Sequence, residues 1–148
     1  MTISVIGLNH KSANIDIREK FSFTADSASL LLRRIKKVTD ILEVIVVSTC
    51  NRTEIYCESA NGSDDIKNWL LSEKEYKSFA RHLYIHQEED AIEHLFKVVA
   101  GLDSMVIGES EVLGQVKTAY KIALDNKSID GKLKRLFEYS FSVAKNVR

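Results

Sequence analysis

The chain is notable first for what it lacks. Its 148 residues include no proline and only two cysteines, and its 21 basic and 21 acidic side chains cancel. A sequence-independent nucleic-acid binder is normally basic, so any contact with RNA must be local. No apolar run approaches membrane-spanning length, and no signal-peptide pattern opens the chain. We therefore expect a cytoplasmic protein.

Several kinds of ligand site are also missing from the sequence. Neither GxGxxG nor GxxxxGK[ST] occurs, so no dinucleotide or nucleotide phosphate loop is predicted. No Cys/His spacing fits a metal site. Cys50 and Cys57 are seven residues apart, which corresponds to roughly 20 Å along a strand and is far beyond disulfide reach.

The stretch around Cys50 predicts a hairpin. An apolar, β-branched run at 44–47 reads as a buried strand and stops at STCNR, residues 48–52. Alternation then resumes through Ile55 and Cys57, which predicts a returning strand with Cys57 in the core. Cys50 lies at the tip between the strands. A solvated tip that happens to hold a cysteine explains this stretch equally well.

The order of elements predicts an α+β fold. Strands at 2–8, 44–47, 53–57 and 82–86 are interrupted by helices after Thr24 and at 65–71. This is the ferredoxin-like βαββαβ pattern, a four-stranded antiparallel sheet with two helices on one face. From residue 88 onward the pattern is helical only, with one apolar stripe running from Ala91 to Leu102. We predict a sheet subdomain at 1–87 and a helical C-terminal subdomain at 88–148.

Some residues in these elements suit covalent chemistry. A Cys50 thiolate needs a cation, a base or desolvation to be activated, and Arg52 is two residues away. An arginine also clamps carboxylates in bidentate fashion. The base has four candidates among which composition cannot choose: His10, His82, His86 and His94. The basic stretches 33–37 and 132–135 are candidate phosphate contacts.

Four motif-like blocks follow one another along the chain: GLNHKSANIDIREKF at 7–21, STCNRTEIY at 48–56, HLFKVVAGLDSMVIGE at 94–109 and LGQVKTAY at 113–120. Together and in this order they resemble the glutamyl-tRNA reductase family, specifically its amino-terminal catalytic domain. The resemblance implies NADPH-dependent conversion of glutamyl-tRNA to glutamate-1-semialdehyde, the first step of five-carbon tetrapyrrole (haem) synthesis. The unfinished last helix and the missing phosphate loop then suggest a fragment of a longer enzyme.

The resemblance also implies residue roles. Cys50 would be the nucleophile that forms a glutamyl thioester, His94 the activity-critical histidine, and Arg52 the partner of a glutamyl carboxylate. The other implied substrate contacts are Thr49, Asn51, Ser104, Glu109, Ser110, Glu111 and Gln115. Two residues depart from the family pattern: Asn14 replaces a usual proline, and Glu111 replaces a usual glutamine.

The implied partners lie largely outside this chain. NADPH would be bound by an absent domain, a homodimer would form through a missing C-terminal domain, and a semialdehyde aminomutase would act downstream. The alternatives are a ferredoxin-like binding or regulatory module with an inert Cys50, and a cysteine hydrolase that uses Cys50 and His94. The enzymatic interpretation expects Cys50 at an open bend, facing a cavity walled by the later helices.

Overall fold

The fold is built on one antiparallel sheet. A computed structural model describes residues 2–103 and 111–147 of the chain. The four strands pair in the order β2-β3-β1-β4. Their bounds are β1 Thr2–Asn9, β2 Ile41–Ser48, β3 Arg52–Ser59 and β4 Tyr84–Gln87. Each pairing is antiparallel, so the predicted ferredoxin-like α+β architecture is confirmed.

Six α-helices occupy the described parts of the chain. They are α1 Ile15–Lys20, α2 Ala25–Ile35, α3 Ser63–Ser72, α4 Glu89–Val99, α5 Glu111–Asp125 and α6 Lys132–Val147. Thr24 caps α2: its hydroxyl accepts the backbone N–H of Ser27. None of these helices is long and apolar enough to cross a lipid bilayer.

Two boundaries differ from the sequence prediction. The strand expected at 82–86 is Tyr84–Gln87, because a 3₁₀ helix at Lys77–His82 precedes it. The apolar stripe expected to reach Leu102 ends earlier, since α4 stops at Val99. Gly101 adopts a φ of 76°, which reverses the chain and leaves Leu102 53% exposed.

Both faces of the sheet are covered, and this decides where the polar side chains go. All eight residues of β3 are buried. One face carries Ile55 and Cys57 and lies on the side of α2 and α3, as the bond from the Phe23 backbone N–H to the Ser48 hydroxyl illustrates. The opposite face carries Tyr56, whose ring meets Phe137 of α6 edge to face at 5.2 Å. Charged residues of β3 on this second face are therefore buried.

The helical second half is tied to the sheet by hydrogen bonds. The buried Glu43 carboxylate of β2 accepts backbone N–H bonds from Asp130, Gly131, Leu133 and Lys134 at the start of α6. Along the outer edge of β2, Ser128 accepts a bond from the Val44 N–H and donates its hydroxyl to the Val44 carbonyl. This pairing satisfies an edge that would otherwise be open.

Candidate active site

The turn that carries Cys50 is braced by hydrogen bonds. The Thr49 N–H donates to the Arg52 carbonyl at 2.8 Å. The Thr49 hydroxyl accepts the backbone N–H groups of Asn51 and Arg52, each at 3.2 Å. Cys50 is exposed and Cys57 is buried, as the sequence predicts. Burial raises the pKa of the Cys57 thiol, so Cys57 is an inert core residue and Cys50 is the accessible thiol.

Cys50 borders a cavity of about 160 Å³. Thr49 and Cys50 form one side of it, and the other side is formed by Ile15, Arg18, Glu19 and Ser22, in and next to α1. Among the described residues, the wall opposite the sulfur thus comes from α1 rather than from the later helices. The expectation that α4–α6 would wall this cavity was wrong for this part of the chain, because α1 packs beside the β2–β3 turn.

A buried carboxylate, Glu54, lies on the second face of β3 at the centre of a polar cluster. Its side chain is fully buried. It accepts hydrogen bonds from the hydroxyls of Tyr84 at 2.5 Å and Tyr56 at 2.8 Å, and from Nη1 of Arg52 at 3.3 Å. Nε2 of His94 also bonds the Glu54 carboxylate. Four side chains, from β3, β4 and α4, therefore converge on one carboxylate.

The cluster keeps Glu54 ionised. Burial alone would raise the pKa of this carboxyl, but the hydrogen bond and charge of His94, the charge of Arg52 and the Tyr84 hydroxyl hold it at about 2. Burial and the Glu54 charge raise the pKa values of Tyr56 and Tyr84. An ionised carboxylate only accepts hydrogen bonds, so Nε2 of His94 is the donor. A neutral His94 ring then has its lone pair at Nδ1.

His94 borders a second, larger cavity of about 450 Å³, within the size range of small-molecule sites. Its lining is polar and carries both signs of charge: Asn9, Tyr84, His86, Asp90, Glu93, His94, Lys97 and Asp103. The rings of His86 and His94 stack at 4.7 Å. No described lining residue is shared with the Cys50 cavity. The described geometry therefore gives Cys50 and His94 separate cavities.

Arg52 connects the turn that holds Cys50 with the cavity that His94 borders. Its guanidinium is 2% exposed. Besides Glu54, it binds Asp103, with Nη2 at 2.6 Å from the Asp103 carbonyl and 3.0 Å from the Asp103 carboxylate. Asp103 lines the His94 cavity, whereas the Arg52 backbone closes the turn that holds Cys50.

A family model described as "Glutamyl-tRNAGlu reductase, N-terminal domain" matches residues 6–148. The chain belongs to this family. It is 43% identical over 150 residues to a glutamyl-tRNA reductase of Idiomarina loihiensis, and 43% identical over 148 residues to one of Xylella fastidiosa. Both matches cover the whole chain but only 36% and 34% of the relatives. The chain thus spans about a third of their length.

The solved structures include a glutamyl-tRNA reductase from Methanopyrus kandleri, which is similar with a TM-score of 0.77 and 25% sequence identity. The match covers 99% of this chain and 34% of that chain. The fold and the sequence therefore agree on the glutamyl-tRNA reductase family.

The positions that the family resemblance singled out do not all meet in the described structure. Thr49 and Cys50 share the smaller cavity, and half-buried Asn51 contributes to the turn. Gln115 is exposed and borders a different cavity, of about 210 Å³, between α2 and α5. Glu111 is exposed at the start of α5. Three further predicted contacts lie outside the described residues: Ser104, Glu109 and Ser110.

Sequence reasoning missed the centre of the polar cluster in this glutamyl-tRNA reductase domain. Strand alternation puts Glu54 and Tyr56 on the face opposite Ile55, but nothing in the sequence pattern gives them a role. The available signal was Glu54 and Tyr56 on one face of a strand, with a second tyrosine at position 84 in the last strand of the same sheet. These residues converge only because the second face of the sheet is also buried. Alternation along a strand does not show whether its second face is covered.

Proposed function

We propose that this domain carries out the acyl-transfer step of glutamyl-tRNA reduction, with Cys50 as the nucleophile. The observation that carries the proposal is an exposed cysteine on a braced turn in a chain of this family. A rigid turn fixes the direction of attack, which lowers the entropic part of the barrier.

In the proposed step, the Cys50 thiolate attacks the carbonyl carbon of the glutamyl ester. A carbon–sulfur bond forms, the ester carbon–oxygen bond breaks, and the 3′ hydroxyl of the tRNA leaves with a proton. An aminoacyl ester is already activated, so the thiolate needs little assistance with the leaving group. The enzyme retains a glutamyl thioester on Cys50.

His94 is proposed to transfer a proton to the leaving oxygen. Its Nε2 is held by an ionised, buried carboxylate, which orients the ring and stabilises positive charge on it, as the acidic member of a catalytic triad does. The remaining nitrogen is then available to the reacting group. This role needs the substrate to span from the Cys50 turn to the His94 cavity.

Arg52 is proposed as the partner of the glutamyl carboxylate, with Thr49, Asn51, Ser104, Glu109, Ser110, Glu111 and Gln115 as further substrate contacts. Arg52 already holds two carboxylates, of which Glu54 is fully buried and Asp103 is 20% exposed. A substrate carboxylate therefore reaches Arg52 by replacing Asp103, since Glu54 has no exposed surface to give up.

The described residues do not fit NADPH. Their sheet is antiparallel throughout, whereas dinucleotide-binding folds use parallel strands with a phosphate-binding turn at a helix N-terminus. For the whole enzyme we propose NADPH held elsewhere, a homodimer, transfer of the semialdehyde to an aminomutase, and a cytoplasmic location.

The test is tRNA release without NADPH. The chain is incubated with glutamyl-tRNA labelled in the glutamyl group. Uncharged tRNA is measured on acid gels, and the glutamyl adduct is located by mass spectrometry. We expect slow release with an adduct on Cys50, and no release above background by Cys50→Ser.

The matched control is Cys57→Ser, because Cys57 is buried and a serine there keeps a hydroxyl near Ser4, whose Oγ is 3.2 Å from the Cys57 sulfur. We expect this variant to release tRNA at the wild-type rate. Equal release by Cys50→Ser and wild type would overturn the nucleophile assignment and favour a binding module with an inert Cys50.

A further inference from the structure

Two buried polar atoms stand out because nothing bonds to them. Within residues 2–103 and 111–147, the buried side-chain nitrogen and oxygen atoms without a hydrogen-bond partner are Nδ1 of His10 and Nε of Arg18. Such atoms are rare in native proteins, because each costs the desolvation of a polar group with nothing in return. Such unsatisfied atoms require an explanation, and a bound ligand is one.

The two residues belong to one neighbourhood. Burial lowers the pKa of His10, and the positive charges of Arg52, Lys11 and Arg18 lower it further, against an opposing effect of Asp103. His10 follows Asn9, whose Cα pairs with that of Arg52 across β1 and β3. Lys11 and Arg52 are paired with Asp103, and Arg52 also with Glu54, whereas the described ion pairs do not include Arg18. The local field favours an anion.

Arg18 brings this neighbourhood to the reactive sulfur, because Arg18 and Cys50 line the same cavity. The Arg52 guanidinium does not line this cavity and is held on the other face of the sheet by Glu54 and Asp103. Glu19 also lines the cavity, yet the described structure shows no ion pair between Glu19 and Arg18. The cation available next to Cys50 is therefore Arg18.

We propose that Arg18, supported by His10, is an anion-binding subsite beside Cys50 that takes an anionic oxygen of the charged tRNA 3′ end. The identity of that ligand rests on the function proposed above. The cavity of about 160 Å³ is below the usual size of small-molecule sites, so it takes a single small group. Two groups supply the required chemistry: the terminal phosphodiester, if Arg52 holds the glutamyl carboxylate as proposed above, and otherwise that carboxylate itself.

The subsite can be tested without any tRNA. Iodoacetate and iodoacetamide alkylate a thiol by the same reaction, but only iodoacetate is an anion. We measure both second-order rates at Cys50 by mass spectrometry and take their ratio. Arg18→Gln should lower the iodoacetate-to-iodoacetamide ratio about three- to tenfold, the range for removing a nearby, partly screened charge.

Two variants control this experiment. Arg81→Gln removes an exposed arginine outside both cavities and should leave the ratio unchanged. Arg18→Lys keeps the charge but loses the planar guanidinium, so it should retain most of the ratio while weakening geometric recognition. Thermal melts establish that each variant is folded. If Arg18→Gln is folded and its ratio equals that of the wild type, the subsite does not exist. If Arg18→Gln does not fold, Arg18→Lys decides, and a folded Arg18→Lys with the ratio of free cysteine overturns the proposal.

Three acyl donors then distinguish the carboxylate from the phosphodiester as the bound anion. They are glutamyl-tRNA, the α-thiobenzyl ester of glutamate and the α-thiobenzyl ester of glutamine. A carboxylate subsite predicts that Arg18→Gln slows thioester formation from both glutamyl donors and leaves the glutamine ester unaffected. A phosphodiester subsite predicts a defect with glutamyl-tRNA alone. Wild-type rates with every donor would overturn the subsite. If Arg18→Gln lowers the alkylation ratio but the wild-type chain never acylates Cys50, the proposed function is rejected and the subsite is kept.

Discussion

Replacing Glu54 by glutamine removes the charge on which four side chains converge. Folding lowers the pKa of this carboxyl from 4.5 to about 2, which by linkage corresponds to about 3 kcal/mol of stability at neutral pH. The variant also leaves the buried Arg52 with less compensation, and removing one partner of a buried ion pair typically costs about 3–5 kcal/mol. We expect Glu54→Gln to lower the free energy of unfolding by about 3 kcal/mol.

The pH dependence distinguishes this account from a simple packing defect. Because folding depresses the pKa of Glu54, its stabilisation is complete above the pKa of the unfolded chain. It is lost as the pH falls from about 4.5 towards about 2. Urea unfolding followed by circular dichroism at pH 7, 5 and 3 should show the difference between wild type and variant shrinking at the lowest pH.

The matched control is Glu93→Gln, which removes the exposed i,i+4 partner of Lys97. Exposed pairs of this kind contribute about 0.3–0.5 kcal/mol, so its effect should be small. A Glu54→Gln defect of the same size at pH 7 and pH 3 would refute the electrostatic reasoning. A defect no larger than that of Glu93→Gln would refute the cluster's contribution to stability altogether.

Two further substitutions test the sheet that carries the site. Glu43→Gln weakens the four backbone N–H bonds at the start of α6 and should cost about 1–3 kcal/mol in urea unfolding; an unchanged midpoint would show that this cap is dispensable. Gly7→Ala would place a Cβ 2.6 Å from the Thr53 carbonyl oxygen and 2.8 Å from Cγ of Glu54. We therefore expect the free energy of unfolding to fall by about 1–3 kcal/mol. A variant as stable as the wild type would mean that the strands move apart at this point without an energetic cost.

The sheet could be predicted because its signals are local. The β-branched run at 44–47 and the alternation through Ile55 and Cys57 are strand signals that tertiary context only reinforces. The exposed tip at Cys50 follows from five small or polar residues between two strands. The strand predicted at 82–86 was misplaced, because a short 3₁₀ helix carries no periodicity of its own.

The buried polar cluster could not be predicted, because it depends on contacts between segments that are far apart in the sequence. Glu54 is a reasonable surface residue of a two-layer fold, and it becomes a buried one only when α4 and α6 cover the second face. His94 shows the same limit. Its position on α4 was clear, but its bond to a carboxylate forty residues earlier requires the helical half to fold back on the sheet.

Arg52 contributes both to the turn that holds Cys50 and to the polar cluster around Glu54. Its backbone is part of the turn that holds Cys50, whereas its guanidinium lies between buried Glu54 and half-buried Asp103. Exchange of Asp103 for a substrate carboxylate would keep the charge of Arg52 balanced, so binding need not expose an unpaired buried cation. The same exchange would free Asp103, which borders the His94 cavity. Substrate binding at the turn would thereby be coupled to the electrostatics around His94 through a single side chain.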